Sequence, residues 1–155
     1  MCLPACFWQY DESTKGKDSR SLMTPQGLRY FAVFLRIVGG ASLLAIFAVL
    51  MPYDSMNATH QWLGMGTLPD APVVGYLARS TSFFYAMFGG LAWVLSFDLP
   101  RHRAVVCYLG FALIALGVTL LAVDIVEGMP LYWIAVEGPA DAFFGAVTLY
   151  FGRRL

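Results

Sequence analysis

Apolar residues gather into four long blocks along this chain, over 30–51, 73–97, 104–126 and 131–151, with short polar stretches between them. No amphipathic period divides the blocks, and 104–123 carries no charge at all. A helix of about 20 apolar residues crosses the roughly 30 Å hydrocarbon core of a bilayer. Soluble helices keep a polar face for water, and these blocks have none to offer. The pattern predicts an all-α, integral membrane four-helix bundle, with residues 23–155 as its domain.

Small residues punctuate every block. The first holds Gly39, Gly40, Ala41, Ser42 and Ala45, and the second Ala86, Gly89 and Gly90. Gly110 and Gly117 lie seven apart in the third, on nearly one helix face. Gly138, Ala142 and Ala146 step by four along the last. Such spacings let helix backbones approach closely in lipid. They suit a compact bundle and equally an oligomer face.

The connection between the first two blocks is the longest. Asp54 or Ser55 is placed to cap a short helix reaching about Leu63. Met56, Trp62, Leu63 and Met65 suit a segment lying at the membrane interface. "TLPDAP" then reads as a turn, with Asp70 as cap and Pro72 in the first turn of the second block. Asn57-Ala58-Thr59 has the form of a glycosylation acceptor, a pattern common by chance.

Composition agrees with the pattern: 59% of residues are hydrophobic, 13% are charged, and mean hydropathy is +0.65. Soluble domains carry about a quarter charged residues. Net charge is zero, so placement is what informs. Lys15, Lys17, Arg20 and Arg29 precede the first block, Arg101 and Arg103 follow the second, and Arg153 and Arg154 follow the last. The connections 52–72 and 124–130 hold no Lys or Arg. Cationic connections mark the cytoplasmic side. Four crossings put all three cationic regions on that side, with both termini cytoplasmic in a multi-pass protein of the cell membrane.

Residues 1–22 read as a disordered cytoplasmic tail. Its charged stretch follows the short apolar one, the reverse of a signal peptide. On the reducing side Cys2 and Cys6 stay unpaired, and Cys107 reads as a small core residue. Met23 is an alternative start, leading straight into the first block.

Four ionisable residues fall inside the blocks: Arg36, Arg79, Glu137 and Asp141. Each charge near the bilayer centre costs about 2.5–3.5 kcal/mol on insertion scales, so they are expected to face inward and pair. Counting helical rise, Arg79 sits roughly 9 Å and Glu137 roughly 7 Å to the outer side of the midplane. That match makes Glu137 the expected counter-ion of Arg79. Arg36 is the expected partner of Asp141, with Asp98 competing. Ser82 and Tyr85 are candidate supporting hydroxyls. Asp124 reads as a solvated boundary residue or a weak further partner. Pro139, between the two acids, is expected to kink its helix.

No hydrolase, zinc-protease, phosphate-loop or dinucleotide motif is present. His60 and His102 fall on opposite sides of the membrane, so no shared metal or haem is expected, and no cofactor. The expected partners are the lipid bilayer and either a second copy of the chain or a larger membrane protein. Nucleic acid is not among them, because the basic residues sit at membrane edges. In layout the chain is similar to small four-span membrane proteins, the DoxX-like type among them, but no motif carries site residues over. Three functions fit: an accessory or structural membrane protein, a small carrier or proton-coupled permeation unit using Arg79, Glu137 and Asp141, or a lipid- or quinone-handling subunit.

Overall fold

The computed structural model describes residues 23–155. The expectations for 1–22, including the unpaired Cys2 and Cys6, fall outside the described residues. Of the described residues 77% are helical, and none lies in a strand. The helices run in the order α1 Pro25–Leu43, α2 Ile46–Val49, α3 Tyr53–Trp62, α4 Pro72–Leu95, α5 Arg103–Val126 and α6 Leu131–Gly152.

The chain divides into two compact units. Among the described residues, unit 1 holds 23–31 and 98–155, hence the start of α1 with α5 and α6. Unit 2 holds Ala32–Phe97, hence the rest of α1 with α2, α3 and α4.

In unit 1 the helices α5 and α6 pack along their whole length on small residues. A methyl group on Gly110 would lie 2.6 Å from the Leu149 nitrogen, and one on Gly145 would lie 2.6 Å from the Ile114 nitrogen. Gly117 and Gly138 face each other, with no room for a side chain on either. Backbone thus meets backbone, which only glycine allows and which gains dispersion contacts without burying large side chains. The large apolar side chains point outward instead: Val118 is 59% exposed, Val136 63% and Phe143 61%. On α6 the buried residues are Gly138, Gly145, Thr148 and Gly152. Ala146, expected on the packing face, is exposed. Steps of four overshoot the 3.6-residue turn, so the face moves to Gly145 and Thr148.

Unit 2 repeats the device once. Gly39 of α1 and Gly89 of α4 bring their backbones together, where a methyl on Gly89 would lie 2.7 Å from the Leu43 nitrogen. Beyond this contact the first apolar block does not continue as one α-helix to Met51. It tightens at Leu44–Ala45: Ala45 donates to the Ser42 carbonyl, Phe47 to Leu44 and Leu50 to Phe47. These are three-residue bonds of 3₁₀ type. Gly39 and Gly40 weaken the helix here, and the Ser42 hydroxyl bonds the Val38 carbonyl at 3.0 Å, a local bond that competes with the helical ladder.

The short helix expected in the long connection is α3. Its N-cap is Pro52 and no side chain caps it, so Asp54 and Ser55 do not take that role. Asp70 likewise does not cap α4, whose N-cap is Ala71 with Pro72 at the first position. Tyr53 ties the connection together by donating to the Leu68 carbonyl. Asn57 accepts from the Leu68 nitrogen at 2.9 Å, and His60 Nδ1 meets the Gly66 carbonyl at 3.0 Å.

Among the described residues two stretches are long and apolar enough to cross a membrane: Pro25–Val49, counted through its tightened turn, and Arg103–Val126. Membrane association is compatible with these two. α4 and α6 have the length, with 24 and 22 residues, but polar residues interrupt their apolar run.

Candidate functional site

The face of α5 that meets α6 repeats every seven residues, Gly110, Gly117 and then Asp124. The next position after two backbone contacts is therefore a carboxylate. Asp124 is only 5% exposed, and its Oδ2 has no hydrogen-bond partner among the described residues. A buried carboxylate oxygen without a donor carries a desolvation cost that nothing nearby offsets. The sequence suggested a solvated boundary residue; the structure buries it, because the seam that begins at Gly110 reaches it.

Two further acids of α6 lie near. Glu137 is half-buried and accepts a hydrogen bond from Trp133 Nε1, one turn earlier on the same helix. Asp124 and Asp141 both act on Glu137 electrostatically. Asp141 is half-buried as well. Unit 1 thus gathers three acids at the α5–α6 seam. Among the described residues no three of His, Cys, Asp or Glu are placed to hold a metal ion. Pro139 lies between the acids, yet α6 runs unbroken through it. Pro139 and Ala135, whose carbonyl loses its helical donor to the proline, are both exposed. The freed carbonyl therefore lies away from the seam.

Arg36 and Arg79, the arginines inside the apolar blocks, both belong to unit 2. Arg79 donates from Nε to the Val49 carbonyl at 3.2 Å and from Nη2 to the Met51 carbonyl at 3.1 Å. These carbonyls close the first apolar block, just before Pro52. The three-residue ladder would next join residue 52 to the Val49 carbonyl, but proline has no N–H; the Met51 carbonyl lies past the helix end, and the end of a helix carries partial negative charge. Gly75, one turn before Arg79, leaves room for the guanidinium: a methyl there would lie 2.9 Å from Nη1. The Ser82 hydroxyl donates to the Ala78 carbonyl of its own helix at 2.8 Å. Tyr85 is half-buried on α4.

Arg36 finds the other end of α4. Its Nε donates to Ser96 Oγ at 3.0 Å, and its guanidinium lies 4.9 Å from the centre of the Phe97 ring. Ser96 in turn donates to the Trp93 carbonyl at 2.6 Å. Asp98, the expected competitor for Arg36, accepts the Arg101 backbone N–H at 3.3 Å. Glu137 and Asp141 belong to unit 1, Arg79 and Arg36 to unit 2. The pairing expected across them is a question for double-mutant cycles; inside unit 2 both arginines are held by neutral groups. The signal that sequence reasoning passed over was Pro52, whose missing N–H leaves the Val49 carbonyl without its next ladder donor.

Tyr53, in the connection helix α3, has a shifted acidity. Partial burial, then the Asp70 and Asp54 carboxylates, push its phenol above the usual tyrosine value. It therefore stays a hydrogen-bond donor to Leu68 well past neutral pH.

Comparison with protein-family models, with curated proteins and with solved structures yields no match. Fold and site define a class only: an all-α protein with two helices apolar enough for a bilayer and three acids gathered at one helix seam.

Proposed function

We propose that this chain is a small multi-pass integral membrane protein of accessory or structural type, a four-helix bundle with both termini cytoplasmic that packs with itself or with a larger partner. One observation carries the reading. Along α5 and α6 glycines face inward while Val118, Val136 and Phe143 face outward. Water favours the opposite arrangement, since burying large apolar side chains is its main driving force. Lipid removes that force and leaves close packing to hold helices together. The cation-free connections 52–72 and 124–130 support the orientation.

Single cysteines in a cysteine-free background test it. A cysteine at position 57 is expected to label with a membrane-impermeant maleimide from outside intact cells, and one at position 102 only after permeabilisation. Labelling of both from one side contradicts the four-span layout.

A second reading, a small carrier or proton-coupled unit using Arg79, Glu137 and Asp141, is favoured by one specific feature: the orphan Asp124 oxygen beside two other acids. Intramembrane acids without partners often mark ion or proton paths. Proton flux into proteoliposomes that is lost in both Asp124→Asn and Glu137→Gln supports this reading. Flux absent from the unaltered chain removes it.

A further inference from the structure

Unit 1 brings three distant basic segments to one end. The Phe31 and Phe151 rings lie 5.2 Å apart, centre to centre, which sets the start of α1 beside the end of α6. Arg103 Nη2 donates to the Arg153 carbonyl at 3.0 Å, tying the start of α5 to the same place. Arg29, Arg101, Arg103, Arg153 and Arg154 therefore share this end, and all are exposed. Within 23–31, 98–103 and 151–155 the sole acidic side chain is Asp98. A field this one-sided attracts anions.

Two of the five guanidinium groups are held in place. Arg103 is fixed by its bond to the α6 carbonyl, and Arg154 stacks on Tyr150 with its central carbon 4.1 Å from the ring centre. A guanidinium has five N–H donors, so both keep donors free. A planar fork held by stacking or by a first bond meets phosphate oxygens two at a time, with less entropy lost than a free side chain. Large apolar side chains border the cluster in sequence and stand exposed: Tyr30, Tyr108 and Tyr150.

We propose that this arginine-rich end binds the headgroup of an acidic phospholipid, whose phosphate meets the arginines and whose chains lie along the apolar surface beside them. The proposal rests on the membrane reading above. Free phosphate satisfies the arginines alone and leaves the apolar border unused, so the lipid is the occupant that fits both surfaces. Basic clusters at the cytoplasmic ends of membrane helices gain affinity for acidic lipid with each arginine.

The test uses the full chain in mild detergent, with bound lipid counted by native mass spectrometry during titration with phosphatidylglycerol or phosphatidylcholine. Phosphatidylglycerol is expected to bind at least roughly tenfold more tightly, from the contribution of several surface arginines. The double variant Arg153→Gln/Arg154→Gln is expected to weaken phosphatidylglycerol roughly tenfold and to leave phosphatidylcholine unchanged. Arg29→Gln/Arg101→Gln should weaken it comparably without touching the Arg103 bond or the Tyr150 stack, so misfolding of the first variant does not decide the outcome. Glu127→Gln, at the other end of α5, should have no effect. Equal binding of the two lipids, or a preference that survives both double variants, overturns the proposal. Full competition by millimolar inorganic phosphate also overturns it, leaving a plain anion site. The membrane reading is measured separately: a chain released from vesicles of both lipids by alkaline carbonate is not integral, and that result removes both.

Discussion

An arginine inside an apolar helix needs something to answer its charge, and neighbouring carboxylates are the partners a sequence makes visible. Arg79 shows the less visible solution. Two carbonyls at the end of the first apolar block accept from it: Val49, whose next ladder donor would be the N–H that Pro52 lacks, and Met51, which lies past the helix end. Arg79→Gln is expected to lower stability by about 1–2 kcal/mol, the worth of two charge-assisted bonds at a half-exposed site. Arg79→Lys should recover part of this, since an ammonium reaches one carbonyl readily but lacks the fork. Unfolding in mixed detergent measures the order; equal stability of all three proteins counts against the carbonyl clasp. The arginine itself was legible in the sequence. The two carbonyls that accept from it were not, because backbone carbonyls occur at every position and only the fold says which of them are unpaired.

Helices were easier to read than the faces they use. The four apolar blocks correspond to α1 with α2, α4, α5 and α6, and the connection helix was expected from an Asp54 or Ser55 cap, although its N-cap is Pro52. The tightening at Leu44–Ala45 was not, since it depends on a competition between Gly39–Gly40, the Ser42 hydroxyl and the Gly39–Gly89 contact with α4. On α6 the expected stripe ran through Ala142 and Ala146, while the buried one runs through Gly145, Thr148 and Gly152. A helical turn of 3.6 residues favours the buried one. Thr148 is accordingly 1% exposed, with its hydroxyl donating to the Phe144 carbonyl at 2.8 Å. Substitution separates the stripes. Gly117→Val is expected to cost about 1–3 kcal/mol, because the opposing atoms are Gly138 and Ala142 backbone and cannot move aside. Ala146→Val should stay within about 0.5 kcal/mol. Similar losses at both positions, read from detergent unfolding, contradict the assigned seam.

At the level of the whole molecule, the sequence indicated lipid as the solvent, and the side-chain distribution in unit 1 gives that inference a structural form. Glycines line the α5–α6 contact, acids gather at one end of the seam, and arginines gather at the other end of the same helix pair. The acid cluster was only half legible: Glu137 and Asp141 stood out within an apolar block, while Asp124 looked like a boundary residue until the Gly110–Gly117 repeat was followed one step further. On the proposed membrane reading, the surrounding medium does not drive Val118 and Phe143 inward. The direct measurement is the accessibility of spin labels placed singly at 118, 136 and 143 in the chain reconstituted into lipid vesicles. Relaxation by dissolved oxygen, which concentrates in the hydrocarbon core, should be strong at all three, and relaxation by a water-soluble nickel complex weak. Strong relaxation by the nickel complex at these positions would place them in water and contradict the account.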